Sequence, residues 1–123
     1  MPVRSLNSSV LKWPDQKTID RAVRSWSTEQ ARSHAGVLRL GYFGSYARGD
    51  WGVGSDLDLI AVIAETSDPF ERRSLKWDIN GLPVAADLVV YTLQEWQDLQ
   101  NRDTKFARML RDETIWVFIK NIK

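Results

Sequence analysis

The sequence predicts a single α/β domain, a small β-sheet flanked by helices, over residues 1–123. Three observations predict it. Segments with helical apolar spacing alternate with short apolar runs of strand length. The length, 123 residues, is that of one domain able to bury its own core. The apolar fraction of 43% and charged fraction of 27% are ordinary for a globular chain.

Pro14 and Asp15 open the first helix, with Asp15 as N-cap. Ile19, Ala22, Val23 and Trp26 then fall on one helical face, and the segment ends near His34, Ala35 and Gly36. Val37 to Phe43 is the first strand, followed by a stretch carrying Gly44, Gly49, Gly52 and Gly54. Leu57 to Ile63 is a dense apolar run, which suits a strand covered on both faces. Asp68 and Pro69 read as N-cap and first residue of a short helix, which Phe70, Ser74 and Trp77, with Leu75 and Ile79, mark out. After a turn at Asn80-Gly81, Val84 to Tyr91 is the third strand. Thr92 and Glu95 have capping-box spacing and start a helix at Leu93 that breaks near Asn101. Ile115 to Ile119 is a last, edge strand.

Composition narrows the function. No cysteine is present, which removes disulfides and thiolate zinc sites and agrees with a cytoplasmic location. A net charge of +1 does not suit a protein that tracks long nucleic acid, whereas a small anion needs only a local positive site. No apolar run approaches the ~20 residues of a membrane span. Met1 to Lys12 lack the pattern of a secretion signal.

The chemistry gathers in three places. Gly44-Ser45 directly follows a strand, Asp56-Leu57-Asp58 opens the next, and Asp87 stands inside an apolar third strand. Residues two apart in a strand share a face, so Asp56 and Asp58 project together with Cα atoms roughly 6.6 Å apart. Like charges that close repel, and a desolvated one is costly unless a cation is shared. If the third strand lies beside the second, Asp87 joins them, an oxygen-only set suited to Mg²⁺, with Mn²⁺ as alternative. Two such ions, ~3.5–4 Å apart, can activate an attacking oxygen and stabilise a leaving pyrophosphate. Gly44 admits a ligand to the backbone, Ser45 can open a short helix through Arg48 with free donors for an anion, and Arg48 can add charge to a triphosphate.

This pattern of Gly-Ser, ten residues, then Asp-x-Asp resembles the nucleotidyltransferase superfamily of the DNA polymerase beta type. The text Phe43-Gly44-Ser45-Tyr46-Ala47-Arg48-Gly49 and Ser55-Asp56-Leu57-Asp58-Leu59 is similar to its minimal nucleotidyltransferases. The resemblance covers Val37 to Tyr91 and implies a small mixed sheet flanked by helices. It implies that Gly44 and Ser45 hold the triphosphate, that Asp56 and Asp58 bind both metals, and that Asp87 binds the catalytic metal and helps deprotonate the acceptor. It further implies transfer of AMP from ATP to a hydroxyl on an all-helical HEPN toxin partner, the chain acting as antitoxin of a type VII toxin–antitoxin system. About thirty residues follow the third strand, too few for an acceptor domain of the kind larger relatives carry, so the acceptor is expected on another chain.

Alternatives stay open. The chain can silence its partner by binding alone, or transfer to a small molecule such as an antibiotic, which would need an oligomer to complete the site. An EF-hand loop is excluded by Leu59, Ile60 and Ala61 after Asp58, and a Walker-type loop by the missing lysine. Arg48 either meets a phosphate or pairs with Asp50, and Ser55 bonds locally. His34, the only histidine, fits a helix end. Trp26, Trp77 and Trp96 are expected in the core; Trp51 stacks a base, meets a partner or packs its loop onto the sheet, and Trp13 and Trp116 have no assignment.

Overall fold

A computed structural model describes residues 13–120. The elements run α1 (Gln16–Ser33), β1 (Val37–Phe43), α2 (Ser45–Arg48), β2 (Leu57–Ile63), a 3-10 helix (Phe70–Lys76), β3 (Ala86–Thr92), α3 (Leu93–Gln100), α4 (Lys105–Glu113) and β4 (Ile115–Ile119). The four strands form one sheet in the order β3-β2-β1-β4. β2 and β3 are parallel, while β1 is antiparallel to both of its neighbours, so the sheet is mixed. Met1 to Lys12, where the sequence lacks a secretion pattern, lie outside the described residues.

Local chemistry explains most boundaries. The Asp15 side chain accepts from Thr18 N at 2.9 Å and caps α1, and His34 ends it in an extended conformation. Thr92 and Glu95 form the reciprocal capping box that starts α3 at Leu93. β3 begins at Ala86 rather than Val84: Val84 is buried in the core ahead of the ladder, and pairing starts where Ala85 O accepts from Leu57 N at 2.9 Å.

The sheet's two faces bury two cores because strand side chains alternate. Leu57, Leu59 and Ala61 of β2 face α1, packing with Ile19, Val23 and Trp26. Ile60 and Val62 face the other way, against Trp96 of α3 and Leu110 of α4. Trp26, Trp77 and Trp96 are buried as expected. Among the described residues no helix is long and apolar enough to cross a membrane.

The segment after Asp68 departs from expectation. Pro69, not Asp68, is the N-cap, and the helix is 3-10 over Phe70–Lys76. The Asp68 carboxylate instead holds Lys76 Nζ at 2.8 Å, and its carbonyl accepts from Arg73 Nε at 3.0 Å. Three residues per turn rather than 3.6 swing Leu75 out, 73% exposed, and turn Arg73 in. Arg73 donates to Val90 O and both Glu95 oxygens, tying this helix to the start of α3.

Candidate active site

The parallel register sets Asp58 directly beside Asp87 on adjacent strands. Paired positions share a face, and Asp56, one residue ahead of β2, is near enough for its charge to reach Asp58. Asp58 and Asp87 sit at the starts of β2 and β3, on the face that α3 and α4 cover further along. Across β1, Asp58 is in register with Phe43, which places it against the strand end where Gly44 begins.

Gly44 is shaped by that neighbour. Its φ of 78° is a left-handed value that favours glycine. A Cβ there would lie 2.5 Å from Asp58 Oδ2, so only glycine lets the turn pass the carboxylate. α2 follows as a single turn over Ser45–Arg48, with Arg48 N and Gly49 N donating to Gly44 O and Ser45 O. Ser45 is half-buried at its start.

Electrostatics mark Asp58 in this trio. Burial, and after it the Asp87 and Asp56 carboxylates, push its carboxyl above the usual range, while Arg48 opposes them. Among the described residues no lysine or arginine forms an ion pair with Asp56, Asp58 or Asp87. As placed, the side chains do not close on one point: among the described residues no three His, Cys, Asp or Glu groups are gathered as a ready metal cage. The backbone thus unites the acids on one patch while mutual repulsion favours spread carboxylates. An oxygen-only set lacking its own cation fits a hard divalent ion.

Arg48 holds two acids of its own. Its Nε donates to Asp50 Oδ2 at 3.0 Å and its Nη1 to Glu113 Oε1 at 3.3 Å. The pairing with Asp50 is the alternative the sequence left open. All three side chains are exposed, so these bonds are weak and exchangeable.

The loop between the motif halves is braced by a residue the sequence did not single out. Tyr46 is fully buried; its hydroxyl accepts from Trp13 Nε1 at 2.8 Å and donates to Ser55 O at 3.2 Å. Gln16 of α1 donates to Tyr46 O at 2.8 Å. Trp51 stacks on the Tyr46 ring at 5.5 Å and 16°, so it packs its own loop. Ser55 bonds locally, its Oγ accepting from Gly52 N at 2.9 Å. An aromatic residue in a one-turn helix between Gly44 and Gly49 was the available signal for Tyr46.

Other candidates stand apart. His34 stacks on Trp77 at 3.9 Å, at the end of the sheet opposite Asp58, and burial lowers its pKa. A concavity of about 620 Å³ around Asp20, Arg24 and Tyr42 lies on the α1 face, away from the acids. Trp116 meets Trp96 edge to face at 5.5 Å and supports β4 from within.

The chain matches the family described as "Nucleotidyltransferase domain" over residues 24–117. No curated protein matches it. Solved structures share its fold, these two among them. One, from Sulfolobus solfataricus and assigned as a nucleotidyltransferase, is 20% identical with a TM-score of 0.62, over 85% of this chain and 84% of that one. The other is a toxin–antitoxin structure with AMP-PNP, 17% identical with a TM-score of 0.51, over 79% of this chain and 73% of that one.

Proposed function

The chain belongs to the nucleotidyltransferase domain family, and from that premise we propose that it moves a nucleoside monophosphate, AMP from ATP, onto an acceptor hydroxyl of a partner protein. The observation that carries this reading is the placement of Asp58: beside Asp87 in register, and against a Gly44 whose Cβ position it occupies. One neighbour in fold is a toxin–antitoxin structure with AMP-PNP, which supports an adenine triphosphate and a toxin partner here. The resemblance to minimal nucleotidyltransferases makes that partner a HEPN protein and this chain its antitoxin.

In this reading Gly44 and Ser45 seat the triphosphate, and Arg48 exchanges its exposed acids for phosphate oxygens. Asp56, Asp58 and Asp87 would hold Mg²⁺, or Mn²⁺, which when bound supplies charge neutralisation at the triphosphate and a more acidic acceptor hydroxyl. Asp87, exposed at the head of β3, can take the acceptor's proton. The acceptor oxygen forms a bond to the α-phosphorus, the bond from that phosphorus to the bridging oxygen breaks, and pyrophosphate leaves. Gly44 keeps the backbone from blocking Asp58 throughout.

Inhibition by binding alone is the second reading, since every acid would stay in place under it. Partner neutralisation by Asp56→Ala/Asp58→Ala separates the two. Lost protection, together with lost labelling of the partner from ATP, is the expected result. Full protection by the double variant would sink transfer as the antitoxin activity.

A further inference from the structure

We infer that the cleft between α2 and α4 is the seat of the nucleotide's base, with Phe106 as its stacking platform. This deepens the transfer reading and rests on it. The cleft holds about 780 Å³, within the ~300–1,000 Å³ of small-molecule sites. Phe106 and Met109 give it an apolar wall. Phe106 is 44% exposed, although it begins an amphipathic helix whose Ala107 and Leu110 are buried. An aromatic ring left open beside a polar site is what a base needs to stack upon.

Two contacts join this cleft to the acids. Phe43, the strand partner of Asp58, meets Phe106 edge to face at 6.3 Å. Arg48 lines the cleft, and its charge also reaches Asp58. The cleft is thus continuous with the acids, and a ligand with phosphates at Gly44-Ser45 would reach Phe106 by passing over Arg48. Arg48 is held there by Asp50 and Glu113 and Arg108 by Asp103, while Lys105 forms no ion pair among the described residues, which leaves one cation for an anionic ligand. Stacking is tolerant of base identity, so the platform would hold any nucleoside triphosphate and leave discrimination to edge contacts.

The test compares binding of Mg·ATP with binding of Mg·tripolyphosphate, which has the phosphates and no base, by the full chain and by Phe106→Ala and Phe106→Trp. Phe106→Ala is expected to weaken ATP binding about tenfold and to leave tripolyphosphate binding unchanged. Phe106→Trp is expected to bind ATP as the wild type does. Unchanged ATP binding in Phe106→Ala, or equal loss of both ligands, overturns the base site and leaves the transfer reading standing. A wild-type chain that binds neither ligand overturns the transfer reading itself and the base site with it.

Discussion

Gly44 and Asp58 compete for the same space: a Cβ on residue 44 would sit 2.5 Å from Asp58 Oδ2, closer than real Cβ contacts come. The turn also holds φ at 78°, where an L side chain is strained. Gly44→Ala therefore both strains the loop and displaces the carboxylate. Transfer is expected to fall at least ~100-fold, with a cost of roughly 1–3 kcal/mol from the backbone alone. Gly49 is the control. Its φ is 89°, but the nearest atom to its Cβ position is 4.0 Å away. Gly49→Ala should cost stability in thermal melts and keep most activity.

Asp58 is raised by burial and by two neighbouring carboxylates. Asp58→Asn removes that repulsion, so in metal-free buffer at neutral pH its Tm should exceed the wild type's by about 3 °C. Added Mg²⁺ should then raise the Tm of the wild type alone, because in the proposed function Asp58 is needed to hold the ion in the folded state. Calorimetric scans with and without Mg²⁺ check both signs. A wild type that Mg²⁺ does not stabilise would count against the carboxylates as ligands.

Much of the fold was legible because local rules and burial agreed. The run Leu57 to Ile63 is apolar on both faces and the strand is covered on both, so its bounds hold to the residue. Thr92 and Glu95 fixed the start of α3 through their own hydrogen bonds. The segment Phe70–Lys76 departs from the expected helix: it is 3-10, with Arg73 turned in to reach Glu95 and Val90 across the chain. No local pattern reports such a partner. At the site, the adjacency of Asp87 to Asp58 depended on strand order, which no local pattern reports. Phe106 and Glu113 were invisible as site neighbours because α4 folds back from over forty positions away.

Arg73 and Glu95 give a pH signature. The Arg73 guanidinium, before other causes, holds Glu95 below the usual carboxylate range. A lowered folded pKa gives stability that is present above the unfolded value of 4.5 and lost as pH falls through the folded one. Glu95→Gln should cost roughly 1 kcal/mol at pH 7, a modest figure because Glu95 is partly exposed. Melts across the acid range should show the gap to wild type closing as pH falls below that value.

Tyr46→Phe removes one hydroxyl that bridges Trp13 and Ser55. The half-buried partners lose their bonds, with an expected cost of about 1–2 kcal/mol. Slackening the path from Gly44 to Asp56 should also lower kcat more than it raises KM. Denaturant titration and steady-state rates read the two effects separately.

The central claim is nucleotidyl rather than phosphoryl transfer at the Asp56, Asp58 and Asp87 patch. It is tested most directly by incubating the chain and the proposed HEPN partner with ATP labelled on the α- or on the γ-phosphate. The α-label should enter the partner, the γ-label should leave as pyrophosphate, and Asp87→Asn should abolish incorporation. Entry of the γ-label, or unchanged α-labelling by Asp87→Asn, would contradict the account.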